Sequence, residues 1–185
     1  SLEKRVKRDF SHLNTTLILG DSNENVQDII NAIPKFGKGN TLLPFCFVDP
    51  YSLNLNFETI RRLGCNLMDF LILQALHMDA NRNFDKYIRE ENTRIANYLG
   101  MENWRDVFEQ NGCTNRKDFV KFLADQYQNQ MAKLMYKPTK HMHQIRSNEK
   151  NLPLYYLSFF SKHTRGEEFF TKVQKRVTAQ LTLDM

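Results

Sequence analysis

The run Phe45-Cys46-Phe47-Val48, cut short by Asp49-Pro50-Tyr51-Ser52, constrains the fold of this chain more than any other feature. Four apolar residues ended by an acid and a proline describe a buried strand that delivers a carboxylate to the carboxyl edge of a sheet. Open α/β folds put their ligands at that edge. Proline fixes φ and has no N–H, so the backbone beyond Asp49 leaves the sheet in a set direction with a free carbonyl behind it. A strand end followed by an ordinary turn has the same appearance, because Asp-Pro is a common turn former.

The rest of the chain has the material for one core around that strand, with 185 residues, 41% of them hydrophobic and 12% aromatic. Seven glycines and five prolines are too few for a linker-rich chain, and no repeat or low-complexity tract is present. No apolar stretch approaches the roughly 20 residues a bilayer requires. The charged opening Ser1-Leu2-Glu3-Lys4-Arg5 is unlike a signal peptide, so a protein without membrane association is expected. Cys46, Cys65 and Cys113 are far apart and lack paired spacing, which reads as reduced thiols in a cytoplasmic protein. The net charge of +5 permits an anionic partner without requiring one.

Leu2, Val6, Phe10 and Leu13 fall at helical spacing between basic residues and predict an amphipathic opening helix. Thr15 to Leu19 is β-branched and apolar and runs into Gly20-Asp21-Ser22-Asn23, after which Val26, Ile29, Ile30 and Ile33 mark a helix stopped by Pro34. The segment 44–48 with Phe57, Ile60, Leu63 and Gly64 makes a second strand-turn-helix unit. Leu67 to Leu73 and Leu154 to Phe160 supply two more buried strands. Strands alternating with helices imply a parallel sheet covered on both faces.

Residues 84–150 read as a helical insertion, with one helix through Phe84, Tyr87, Ile88, Ile95, Tyr98 and Leu99, a short one at Trp104, Val107 and Phe108, and a long one from Phe119 to Leu134. The α/β domain is then 1–83 with 151–185. Between Lys133 and Lys150 the basic residues, Lys137, Lys140 and Arg146 among them, far outnumber the single acid Glu149. Such a run is either a solvated face or a phosphate contact, and the latter makes these three residues candidates for nucleic-acid binding. His141 and His143, in an expected loop, have no companion ligands, so no metal is expected. A phosphate loop, a Ser-His-Asp arrangement and an HExxH motif are all missing, which removes kinase, hydrolase and zinc-protease readings.

Asp21 and Asp49, each at the end of an expected strand, would place two carboxylates side by side on one sheet edge, a layout suited to a nucleoside-type cofactor. Asp21 could accept from an adenine amino group, or it could simply cap the helix that follows. Asp49, the Pro50 carbonyl and the Tyr51 ring could orient and cover an amino group. Asp69 reads as a structural acid. Ser161-Lys162-His163 is either catalytic or a strand-to-helix junction with Thr164 as cap and Phe169, Phe170 and Val173 in the helix.

Taken together, Gly20-Asp21-Ser22-Asn23, Phe47-Val48-Asp49-Pro50-Tyr51 with Phe57-Glu58-Thr59-Ile60, Asp69-Phe70-Leu71-Ile72, Arg82-Asn83, Trp104-Arg105, Leu154-Tyr155-Tyr156-Leu157 and Ser161-Lys162-His163 resemble the three-Cys-motif partner proteins. The match in order and spacing covers nearly the whole chain. That family resembles class I S-adenosylmethionine-dependent methyltransferases and is named for a companion protein with a radical-type three-cysteine motif. The resemblance implies a Rossmann-like α/β fold, lacking here its first two strands. It also implies S-adenosylmethionine as cofactor, with Gly20, Asp21, Ser22 and Asn23 at the adenine-contacting turn. Asp49-Pro50-Tyr51 stands where related amino-methyltransferases keep an acid-proline-proline-aromatic motif; one proline is missing, which leaves the acceptor open. The glycine-rich turn and ribose-binding acid usual in such a fold are not in this sequence, so the cofactor is expected only if that segment is supplied. The implied functions are methyl transfer to a nucleic acid or nucleotide-type acceptor, or a non-catalytic binding role toward a three-Cys-motif protein or nucleic acid. A different nucleotide-handling α/β enzyme is a third class, resting on fold analogy alone.

Overall fold

The computed structural model describes residues 1–35, 37, 42–137, 142–147, 149–166, 168 and 170–173, with Asn66 described through its backbone only. It divides into two compact units, residues 1–42 and residues 43–185.

In the first unit, α1 (Leu2–Asp9) is capped by Ser1, whose hydroxyl accepts from the Lys4 N–H, and it buries no residue. Its apolar stripe is narrow and its cations are partly paired within the helix, Lys7 with Glu3 and Arg8 with Asp9. The expected strand at Thr15–Leu19 does not form: those residues have no regular structure and are exposed. β-Branched composition becomes a strand only when a neighbour completes the ladder, and among the described residues of this unit none does. The chain then turns at Gly20, where φ is +129° and an added Cβ would collide with the Asn25 amide. It enters α2 (Val26–Ala32), of which Val26 is buried, and leaves the helix through an extended Ile33 before Pro34.

The second unit is built on a four-stranded sheet of order β1-β2-β4-β3, from β1 (Phe45–Val48), β2 (Asp69–Gln74), β3 (His143–Arg146) and β4 (Pro153–Phe160). β1 and β2 run parallel, with Phe45 beside Asp69 and Val48 beside Ile72. β4 lies antiparallel to β2 and β3 antiparallel to β4. The class is α/β as expected, but the sheet is mixed rather than parallel. β4 follows β2 in the sheet after four helices and a strand rather than one crossover helix, and that path lets it return in the reverse sense. β3 is a second departure: His143 sits in a strand, not a loop, inside the span read as helical.

α3 (Phe57–Leu63) crosses from β1 to β2. The expected stop at Gly64 is not a left-handed cap; Gly64 stays right-handed, a 3₁₀ turn continues through Asn66, and Leu67 takes the positive φ of 54°. After β2 a π-helical turn (Leu76–Ala80) leads to α4 (Phe84–Tyr87), α5 (Arg94–Leu99), α6 (Trp104–Gln110) and α7 (Arg116–Lys133). The single helix expected through 84–99 is thus two. The polar stretch Arg89-Glu90-Glu91-Asn92 offers nothing to bury between Ile88 and Ile95, so the chain loops outward there. α7 starts at Asn115, whose side chain accepts from the N–H groups of Lys117 and Asp118.

These helices cover one face of the sheet. Phe70, Ile72 and Gln74 of β2 point into it, and Tyr136 and Tyr127 meet Phe70 and Phe160 at ring distances of 5.6 and 6.1 Å. Tyr127 also packs on Phe57 and Tyr98, while Trp104, Phe108, Phe119 and Phe84 form a second aromatic nucleus among the helices. Each of these rings removes a large apolar area from water, and their edge-to-face contacts add specificity of orientation. On the opposite face Phe45 and Phe47 are more than half exposed, and Phe159 is stacked by Phe170 at 4.7 Å.

Candidate functional site

Because β1 and β2 are parallel, both deliver their ends to one carboxyl edge, and the antiparallel β4 begins and β3 ends there. Asp49 follows directly on β1 and is exposed, Pro50 is half-buried, and Tyr51 presents 89% of its surface to solvent. What fixes this corner is a residue the sequence reading passed over. Asp79, in the π-helical turn after β2, is buried, and its carboxylate accepts from the Leu53 N–H at 2.7 Å. The same carboxylate accepts from the Asn83 amide at 2.6 Å and from the Tyr87 hydroxyl at 2.8 and 2.9 Å. Neutral donors alone satisfy the buried charge, and together they staple the loop after Asp49-Pro50-Tyr51 to the turn after β2. Burial and the neighbouring carboxylate push the Tyr87 phenol up, so it stays a donor. A lone acid inside the apolar stretch Ala75 to Ala80 was the signal available in the sequence.

Beside this staple the last rungs of the sheet carry a polar group. The Gln144 amide donates to the Tyr156 hydroxyl at 3.1 Å and lies 3.4 Å from His77 Nε2, which is itself 3.3 Å from that hydroxyl. A protonated His77 would bring an N–H against the Gln144 NH₂. Burial and then the charge of Arg146 hold the imidazole below its ordinary value, favouring the neutral ring with Nε2 as acceptor. Gln74, paired with Tyr156 across the ladder, donates to Ser158 Oγ at 3.2 Å, and its carbonyl oxygen has no partner among the described residues.

The opposite, amino edge of β2 holds Asp69, Ser161, Lys162 and His163. The Ser161 hydroxyl accepts from the His163 N–H at 3.1 Å, and its one proton is shared between the His163 carbonyl, also at 3.1 Å, and the Asp69 carboxylate. His163 Nδ1 accepts from the Arg165 N–H, so His163 rather than Thr164 caps the helical residues that begin at 164. Lys162 donates to the Gly64 carbonyl at 2.9 Å. These contacts are those of a junction, with histidine bonded to backbone and serine shared between backbone and Asp69. Phe169 lies outside the described residues.

The remaining candidates are dispersed. Gly20, Asp21, Ser22 and Asn23 belong to the first unit, where Asp21 Oδ1 accepts from the Asn23 N–H at 2.7 Å and organises the turn into α2. Thr15–Leu19 is not a strand, so Asp21 does not stand at a strand end. The Lys137 N–H bonds Ser161 O beyond the far end of β4, whereas Arg146 pairs with Pro153 at its start. Eight residues of extended chain separate those points, roughly 25 Å, so the two cations do not share a patch. Lys140 and His141 lie outside the described residues. No group of three or more His, Cys, Asp or Glu among the described residues is placed to hold a metal, and no helix among them is long and apolar enough to cross a membrane. Burial pushes the Cys46 thiol up to about 11, which makes it inert.

No family model matches this chain, and neither does any curated protein or solved structure.

Proposed function

We propose that this chain is an S-adenosylmethionine-dependent methyltransferase-like protein acting on a nucleic acid or nucleotide-type acceptor, with Asp49, Pro50 and Tyr51 at the acceptor. The observation that carries this reading is the exposed Asp49-Pro50-Tyr51 corner at the carboxyl end of a parallel strand pair, held from behind by Asp79. A carboxylate and an adjacent carbonyl can each accept from an amino group, and an exposed tyrosine ring can cover it. One reversed strand, β4, set beside the parallel pair is compatible with a Rossmann-like sheet, since doubly wound folds are often mixed rather than purely parallel.

The fit to the cofactor is partial. The Asp21 carboxylate uses one oxygen within its own turn and keeps acceptor capacity for an adenine amino group. Among the described residues, however, no glycine turn follows a strand to cradle the methionine end, because Gly20 follows irregular chain. The cofactor's chemistry is an activated methyl group on a sulfonium, and this chain's residues are assigned only binding and orienting roles toward it.

Calorimetric titration with S-adenosylhomocysteine tests the reading. Binding that Asp21→Ala weakens about tenfold and Asp49→Asn leaves unchanged is expected if Asp21 contacts the cofactor and Asp49 the acceptor. Absence of heat at millimolar ligand would leave the second reading, a non-catalytic binding partner of a three-Cys-motif protein or of nucleic acid. That alternative is favoured by the missing strand before Gly20.

A further inference from the structure

Between α4 and α5 lies a cavity of about 400 Å³, within the size range of small-ligand sites. Its walls are polar: Lys86 and Arg94 bring two cations against one acid, Glu91, and Asn92, Thr93 and Asn97 add amide and hydroxyl groups. Tyr87 supplies the one aromatic surface. An apolar ligand finds little to bury here, whereas an oxyanion finds two cations and neutral amide and hydroxyl groups along one wall. Four other cations, Lys7, Arg8, Arg61 and Arg116, are each paired with a carboxylate. Among the described residues neither Lys86 nor Arg94 forms an ion pair.

The cavity wall is built rather than slack. The Arg105 guanidinium donates to the carbonyls of Tyr87, Ile88, Arg89 and Asn92, fixing the connection between α4 and α5 from α6. Its own position is set by stacking over the Trp104 ring at 4.5 Å. Asn92 Oδ1 accepts from the Arg94 N–H at 2.9 Å and holds the start of α5. Arg94 lies near enough to Tyr87 for its charge to oppose the burial that raises that phenol.

We infer that this cavity binds a phosphate oxyanion carried by a nucleotide or a nucleic-acid strand, with Lys86 and Arg94 as its charged ligands. The inference rests on the proposed nucleotide-type acceptor only for its place in methyl transfer; phosphate binding itself stands on the cavity. A ligand there touches Tyr87, whose hydroxyl donates to Asp79, which in turn holds the Leu53 N–H behind the Asp49–Tyr51 corner. An anchored phosphate thus sits two hydrogen bonds from the loop proposed to meet the acceptor. The anion contact moves away from Lys137 and Arg146, which the sheet holds apart.

The test titrates the full chain with inorganic phosphate, adenosine monophosphate, adenosine and a short oligothymidylate, following backbone amides by NMR with no S-adenosylmethionine present. Phosphate and adenosine monophosphate should shift the amides of Asn92, Thr93 and Asn97. The double variant Lys86→Gln/Arg94→Gln should weaken both by about tenfold or more, while Lys137→Gln/Arg146→Gln leaves them unchanged. Adenosine should not shift these amides. Oligothymidylate that binds more tightly than the mononucleotide, with steep salt dependence, identifies a strand as the source; the reverse order identifies a free nucleotide. Absence of the amide shifts, adenosine binding as well as its monophosphate, or equal losses in the two double variants would overturn the inference. Failure of cofactor binding alone removes the methyl-transfer reading and leaves this result standing.

Discussion

The two ends of the second unit's sheet both carry polar side chains and use them differently. At the amino edge Lys162, His163 and Tyr136 bond to backbone, and Ser161 bonds to backbone and to Asp69. Tyr136 donates to the Met68 carbonyl at 2.7 Å, Lys162 reaches Gly64 while lying over the Tyr136 ring, and an added Cβ at Gly166 would collide with Ser161. At the carboxyl edge the buried polar groups face one another in side-chain networks, and the groups in front of them, Asp49 and Tyr51, are left to solvent. The contrast teaches that a serine, a histidine and a carboxylate in proximity do not by themselves make a reactive centre. Where the side chains bond chiefly to the main chain, the cluster is a joint. Where a rigid network stands behind exposed groups, it is a platform.

Five substitutions sharpen or break that contrast. The largest effect is expected at the platform: Asp79→Ala strands the Leu53 N–H and the Tyr87 hydroxyl and leaves the Asn83 amide only its bond to the backbone carbonyl of residue 79. It should cost about 3 kcal/mol by urea unfolding. A loss no larger than that of an ordinary surface change would mean the corner is not held by Asp79. Tyr136→Phe at the joint removes one buried bond to the Met68 carbonyl and should cost about 1–2 kcal/mol, without altering any ligand binding at the other edge.

The third test separates the edges by the sign of their pH dependence. The His77 pKa is depressed in the folded protein, so the stability it contributes is present above the ordinary histidine value of 6.5 and lost as pH falls through the lowered one. His77→Gln should flatten that acid limb. Asp69 behaves oppositely: burial, opposed by the Ser161 bond and the His163 charge, raises its pKa. Its contribution is therefore present below 3.8 and lost as pH rises through the raised value. Asp69→Asn should therefore gain stability relative to the parent as pH rises from 3 toward neutrality, and melting curves across that range that run parallel for both proteins would contradict the assignment. The smallest effect belongs to Tyr51→Ser, expected to change stability by less than about 0.5 kcal/mol because the ring is exposed. A large change would show Tyr51 to be a packing residue rather than part of an open corner.

How much of this was legible in the sequence depends on whether the deciding interaction is local. The apolar run ending at Asp49-Pro50, the strand near Leu67–Leu73 and the one at Leu154–Phe160 were all visible within a residue or two as continuous apolar runs. However, β1, expected to be buried, has no buried residue and leaves Phe45 and Phe47 more than half exposed. Strand direction was not visible, since a buried strand looks the same whichever way it runs. β3 escaped notice because His143-Gln144-Ile145-Arg146 is an edge strand with one apolar residue. Thr15–Leu19 misled for the converse reason: its propensity is strong, but no neighbour expresses it. Asp79 and Arg105 act through partners distant in sequence, Leu53 on one side and the Tyr87–Asn92 carbonyls on the other, and no spacing rule announces such a bond.

Arg105 grips the connection after α4 from 13 to 18 positions further along the chain. That connection has no strand or helix of its own to give it shape, so during synthesis it leaves the ribosome before its latch exists. The cleft it borders can take form only once α6 has docked. A lysine in place of Arg105 would supply a single point charge where a planar fork now spans four carbonyls, and the cleft could be silenced without altering any side chain that lines it.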